Sequence, residues 1–137
     1  MHGKHVRLAH GGGGRLTGDL VREVFLKAFH NPTLNLLADA APIQIARGQA
    51  IAFTTDSFVV SPPFFAGGDI GRLAIAGTVN DLAVSGSIPR YIACSFILEE
   101  GFPMEHLERI VQSMAATANE AGVEIVTGDT KTVEKGR

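Results

Sequence analysis

Cysteine is nearly absent: Cys94 is the one thiol among 137 residues, which excludes a disulfide framework and leaves no Cys/His spacing of the kind zinc requires. A lone thiol fits a reducing, cytoplasmic setting. Charge is also sparse and balanced, with a formal net charge of -2 and no Lys/Arg block. Such a chain has no electrostatic footprint for nucleic acid or an anionic membrane, so neither is expected as a partner. Long apolar runs are missing too. None approaches the ~18 residues of a membrane span, and MHGKHVRLAHGGGG opens the chain without the apolar core of an export signal. What remains is 45% hydrophobic and 19% charged, enough for one globular domain over 1–137 with its own core.

Periodicity divides the chain into mixed α/β elements. Thr17 is placed to cap a helix over 19–30, with Leu20, Val21, Val24, Phe25, Ala28 and Phe29 on one face and Asn31-Pro32 as its stop. Leu34 to Ala38 suit a short turn and Ile43 with Ile45 a short strand. Residues 49–60, QAIAFTTDSFVV, have strand composition interrupted by Thr54-Thr55-Asp56-Ser57. Pro62-Pro63 and Gly67-Gly68 mark a loop, and Asp69 opens a helix over 70–86. RYIACSFILE at 90–99 reads as a buried strand. Pro103 falls in the first turn of a helix whose face carries Leu107, Ile110, Val111, Met114, Ala115, Ala118 and Ala121, with Gly122 as stop. A last strand at 123–127 then leads through Gly128, Asp129, Thr130 and Lys131 into a polar tail. The expected architecture is a small mixed sheet with helices covering one face.

Sixteen glycines suggest phosphate chemistry, yet neither G-x-x-x-x-G-K-[ST] nor a post-strand G-x-G-x-x-G is present. His10-Gly11-Gly12-Gly13-Gly14 resembles the oxyanion loop of lipases, but the G-x-S-x-G nucleophile elbow is missing. The run reads either as a flexible leader or as N–H groups able to wrap a polyphosphate. Four aspartates share one property, each standing at an element end or against an apolar element. Asp56 interrupts a strand, Asp69 starts a helix, Asp81 lies within GTVNDLAVSG, and Asp129 follows a strand. Were they to meet, two carboxylates ~4 Å apart would repel by roughly 4 kcal/mol at an effective dielectric of about 20. A cation must join them, or they must stand apart. Oxygen donors without cysteine favour magnesium. Ordinary structural readings stand beside these: Asp69 as a helix cap, Asp129 as a turn residue, Asp56 as a hairpin turn, Lys131 as a solvated tail residue and Cys94 as a small core side chain.

HGGGG at 10–14, FTTDSFVVSPPFFAGGDIGRLAIAGTVNDLAVSGSIPRY at 53–91, FILEEGFP at 96–103 and VTGDTK at 126–131 occur in one order and spacing. Together they resemble the HypE carbamoyl dehydratases of hydrogenase maturation, within the PurM-like (aminoimidazole ribonucleotide synthetase) superfamily. The resemblance spans nearly the whole chain and the N-terminal part of that family. It implies an α/β (α+β) PurM-like N-terminal domain that binds ATP, with its sheet pairing with that of a second copy in a homodimeric barrel. By the same resemblance Asp56, Asp81 and Asp129 hold Mg2+ against the phosphates. Gly11, Gly12, Gly13, Gly14, Gly67, Gly68 and Gly128 approach the phosphate chain, and Thr55, Asn80 and Asp69 assist. Lys131 neutralises charge at the transferring phosphoryl group or near the substrate amide. The implied reaction dehydrates a thiocarbamate on a C-terminal cysteine to a thiocyanate, the source of a cyanide ligand for nickel-iron hydrogenase. The implied partners are other maturation proteins, a carbamoyltransferase and the iron-ligand scaffold. Since the sequence ends at Arg137, it is expected to lack the second domain and cysteine tail and to be inactive alone; Cys94 does not match that tail. The alternatives are another PurM-like ATP user, of thiamin-monophosphate kinase or selenophosphate synthetase type, and a dimerisation module without activity in isolation.

Overall fold

The computed structural model describes residues 5–37, 46–48 and 51–136. Its core is a β-α-β unit. Strand β3 (Tyr91–Glu99) runs parallel to β4 (Glu124–Val133), and helix α4 (Met104–Ala121) connects them. The helix is amphipathic in the expected way: Leu107, Ile110, Val111, Met114 and Ala118 recur at helical spacing and all are buried. Pro103 stands at the N-cap in extended conformation, and Gly122 ends the helix at φ 69°, its N–H bonded to the carbonyls of Ala118 and Asn119.

An N-terminal helical run lies over the same core. It comprises α1 (Arg15–Leu20), a wider π-type turn at Val21–Phe25 and α2 (Leu26–Phe29). Its buried face joins Leu20, Val24, Phe25 and Phe29 to the sheet, with the Phe25 and Phe96 rings stacked 4.9 Å apart. The run starts four residues before the expected 19, because Gly14 rather than Thr17 is the N-cap. Thr17 is instead inside the helix, where its hydroxyl accepts the Gly13 N–H at 2.9 Å. The stop at His30 and the 3-10 turn Leu34–Leu36 agree with the sequence reading, whereas the strand expected at Ile43 and Ile45 lies outside the described residues.

Helix α3 (Ile70–Val84) packs on α4. The two backbones approach closely at Gly71, where a Cβ would stand 2.5 Å from the Ile110 carbonyl oxygen and 2.9 Å from Met114 Cγ. A two-residue hairpin precedes α3, β1 (Phe64–Phe65) against β2 (Gly68–Asp69), in place of the loop read from the prolines and glycines. Residues 51–60 have no strand partner among the described residues and are mostly exposed, contrary to their β-type composition. The Phe58 ring nevertheless lies against Gly77 of α3, in space a Cβ there would need.

Helices cover one face of the β3/β4 pair. On the other, Tyr91, Ala93, Ser95 and Ile97 are exposed, Ile97 by 75%. Parallel sheets are ordinarily covered on both faces, so this one is open on a side where apolar residues already stand.

Candidate functional site

A further correction to the sequence reading concerns β4, which does not give way to a polar tail at Gly128 but continues to Val133. A register shift explains how one strand is both core and polar. Ile92 pairs with Ile125, but Ala93 pairs with Thr127, leaving Val126 as an extra residue. Side chains alternate along a strand, so one inserted residue exchanges the faces of everything after it. Ile125 and Val126 are buried, while beyond the bulge Asp129 opposes Ser95 and Lys131 opposes Ile97, both on the exposed face of β3. Without the bulge, the Asp129 and Lys131 side chains would point into the aromatic core.

Asp129 and Lys131, two apart and on one face, pair directly. Lys131 Nζ lies 2.8 Å from both carboxylate oxygens of Asp129, and the Thr130 N–H donates to Oδ1 at 2.8 Å. These donors, the lysine first, hold the Asp129 carboxyl below the usual carboxylate range. The pair is open to solvent on both sides, the lysine 62% and the aspartate 59% exposed. It is therefore an ionised carboxylate and a cation able to change partners at little cost.

The glycine run reaches the same place from the other end of the chain. The 3-10 turn Leu8–Gly11 packs on β4, where Gly11 lies so close to the Thr132 N and Oγ1 that any side chain would overlap them. Gly11 and Gly13 with Thr127, Gly128, Asp129 and Lys131 thereby line a cavity of about 270 Å³. Apolar residues, Phe25, Phe29, Leu34 and Phe96, line it as well. Gly128 is obligatory for a separate reason: a Cβ there would run into the Cys94 carbonyl. Cys94 also lines the cavity, and burial pushes its thiol up to about 12, so it is an inert core side chain and not a nucleophile.

The remaining site candidates stand elsewhere. Asp69 is the N-cap of α3, its Oδ1 accepting the N–H groups of Gly71 at 2.8 Å and Arg72 at 3.0 Å; it is buried and occupied. Gly67, at φ 90°, and Gly68 form the hairpin that delivers it. Asn80 and Asp81 lie on the exposed side of α3, so Asp81, though set among apolar residues in sequence, carries no burial penalty in the single chain. Thr55 and Asp56 are exposed in the extended segment, where Asp56 Oδ1 accepts the Ser57 N–H at 2.7 Å. Gly12 and Gly14 are exposed beside Gly11 and Gly13. None of Thr55, Asp56, Gly67, Gly68, Asp69, Asn80 and Asp81 lines the cavity. Among the described residues no three His, Cys, Asp or Glu side chains gather as a metal site. The donors present suit magnesium bound mainly through water and substrate phosphate oxygens with one or two carboxylates, the usual habit of that ion, rather than a protein cage.

Sequence reasoning passed over Thr132 and gave Thr17 only a capping role, although both hold the glycine run. The one signal for Thr132 is that it follows Lys131; the pairing depends on the bulge and on the N-terminal turn, which no local pattern announces.

Residues 37–137 match the family described as AIR synthase related protein, N-terminal domain. The chain is 54% identical over 136 residues to the carbamoyl dehydratase HypE of Escherichia coli strain K12, covering 96% of this chain and 40% of that protein. It is 53% identical over 132 residues to the HypE of Azotobacter vinelandii, covering 96% and 38%. It thus spans about two fifths of the length of these curated relatives. Among solved structures, hydrogenase maturation protein HypE in complex with ATP superposes with a TM-score of 0.91 at 52% identity, over 95% of this chain and 38% of that one. A HypE-HypF complex superposes with a TM-score of 0.60 at 52% identity, over 85% and 37%.

Proposed function

This chain belongs to the AIR synthase related family through that N-terminal domain, and from this premise we propose that it is the ATP- and magnesium-binding part of a HypE-type carbamoyl dehydratase. The observation that carries the reading is that Gly11, Gly13, Gly128, Asp129 and Lys131, from opposite ends of the chain, line one cavity. Backbone N–H groups without side chains suit phosphate oxygens, and a flexible ammonium serves as a point charge for them. The solved complex of a similar HypE with ATP supports the choice of nucleotide.

In the proposed reaction the oxygen of a cysteine-bound thiocarbamate attacks the γ-phosphoryl of ATP, releasing ADP. Nitrogen then loses its protons as the C–O bond breaks and phosphate departs, leaving the thiocyanate. Magnesium, when bound, supplies neutralisation of phosphate charge. The chain's own contribution is positioning and electrostatic stabilisation. Lys131 would turn from Asp129 toward the transferring phosphoryl group, which would leave the Asp129 carboxylate free to help hold magnesium. Asp56 and Asp81 complete the acidic set, with Thr55 and Asn80 beside them.

The reading includes a homodimer with the nucleotide near its interface. Its support is the open face of β3 together with the exposed apolar residues Phe53, Val59, Val84 and Ile88, side chains that a partner surface would cover. Partners among the hydrogenase maturation proteins, a carbamoyltransferase and the iron-ligand scaffold, belong to it as well, as does a cytoplasmic location. No described helix is long and apolar enough to cross a membrane.

Titrating MgATP calorimetrically into the full chain tests the site: Lys131→Ala should weaken binding at least tenfold. Affinity equal to wild type in both Lys131→Ala and Asp129→Asn would remove the β4 pair from the nucleotide site.

A further inference from the structure

We propose that Thr132 is a positioning residue that clamps the start of the glycine run against the Lys131–Thr132 backbone of β4. This rests on the reading that residues 11–14 face phosphate, and adds the device that holds them there.

A run of four glycines is the most mobile sequence a chain can present, and fixing it costs about 1–2 kcal/mol of backbone entropy per residue. Something must hold it if it is to serve as a preformed cradle. The Thr132 hydroxyl donates to the Leu8 carbonyl at 2.6 Å across 124 positions of sequence. Gly11 seats against the same threonine's N and Oγ1. Behind this contact the segment is tied to the α4 entry, the Val6 N–H donating to the Phe102 carbonyl at 2.8 Å and the Gly101 N–H to the Val6 carbonyl at 2.9 Å. The turn between is closed by His10, buried, whose Nδ1 accepts the Arg7 N–H at 2.9 Å. Ahead of the run, Thr17 accepts the Gly13 N–H.

Thr132 thus grips the leader from β4, and it directly follows Lys131. One strand segment therefore carries the cation on its open face and fixes the glycines against its backbone at the next residue. A threonine suits both tasks, since its β-branched body favours the strand and its hydroxyl reaches the turn.

Hydrogen exchange of the 10–14 amides and MgATP titration of the full chain test the clamp. Thr132→Val keeps the shape and removes the donor: exchange at 10–14 should accelerate and the Kd for MgATP rise roughly three- to tenfold, the worth of one hydrogen bond. Thr132→Ser should restore both, which a purely steric role would not require. Protection of 11–14 by MgATP in the wild type, with exchange and Kd unchanged in Thr132→Val, overturns the clamp and leaves the glycine site standing. Nucleotide binding that leaves wild-type exchange at 11–14 untouched removes the glycine site, and the clamp with it.

Discussion

Two regions carry the polar residues singled out, and they differ in how far one chain completes them. Around β4 everything has a partner: Gly128 fits under the Cys94 carbonyl, Gly11 fits against Thr132, and Asp129 is paired with Lys131. Along residues 51–60 and the outer side of α3 little is enclosed, with Phe53 89% and Val59 98% exposed, and Asp56 and Asp81 open to solvent beside them. Aspartates stand in both regions, so composition does not separate them. Packing does: the first region is assembled by contacts within the chain, whereas the second leaves apolar side chains and carboxylates exposed.

The sharpest way to break the finished region is Gly128→Val. Backbone would meet side chain with nothing flexible to yield, and the loss should exceed about 4 kcal/mol, seen as failure to fold or collapse of the urea midpoint. Near-native stability would mean that β3 and β4 are not registered as described. Next in size, Cys94 should react with a thiol reagent at pH 8 roughly a hundredfold more slowly than in urea, since only the thiolate attacks. Its raised pKa gives a contribution to stability fully present below the unfolded thiol value of 9.0 and lost as pH rises toward about 12. Labelling as fast as in urea would show the cavity to be open at Cys94.

For the unfinished region, Val59→Ser should leave thermal stability of the dilute protein within about 0.5 kcal/mol while weakening self-association roughly tenfold in sedimentation. Unchanged association would take Val59 out of the interface. The smallest effect is the titration of Asp129 by NMR, with a midpoint below the ordinary carboxyl range that returns upward in Lys131→Ala. Its sign follows from the depressed pKa: any stabilisation is present above the unfolded carboxyl value and fades as pH falls through the folded one. An unshifted midpoint would mean that the pair does not persist in solution.

Much of the first region was legible beforehand, because α4 and β3 announce themselves by apolar period and by Gly122, and α3 by the Asp69 cap. The extent of β4 was not. Thr, Gly, Asp and Lys after residue 126 resemble a tail, and only pairing with β3 through the Val126 bulge makes them strand. Residues 51–60 failed in the opposite direction: their valines and phenylalanines are strand formers, but strand propensity expresses a fit to a neighbour, and the described chain supplies none. Asp81 carries the same lesson: it stands among apolar residues in sequence, yet Leu73 and Val84 on the same helix are exposed.

The central claim is that both regions serve one nucleotide, and the thermal shift induced by MgATP tests it most directly. In the full chain MgATP should raise the melting temperature of the wild type and leave Asp81→Asn unmoved, the two proteins melting together without ligand. Equal ligand-induced shifts in wild type and Asp81→Asn would separate the outer aspartates from the site on β4 and contradict the account.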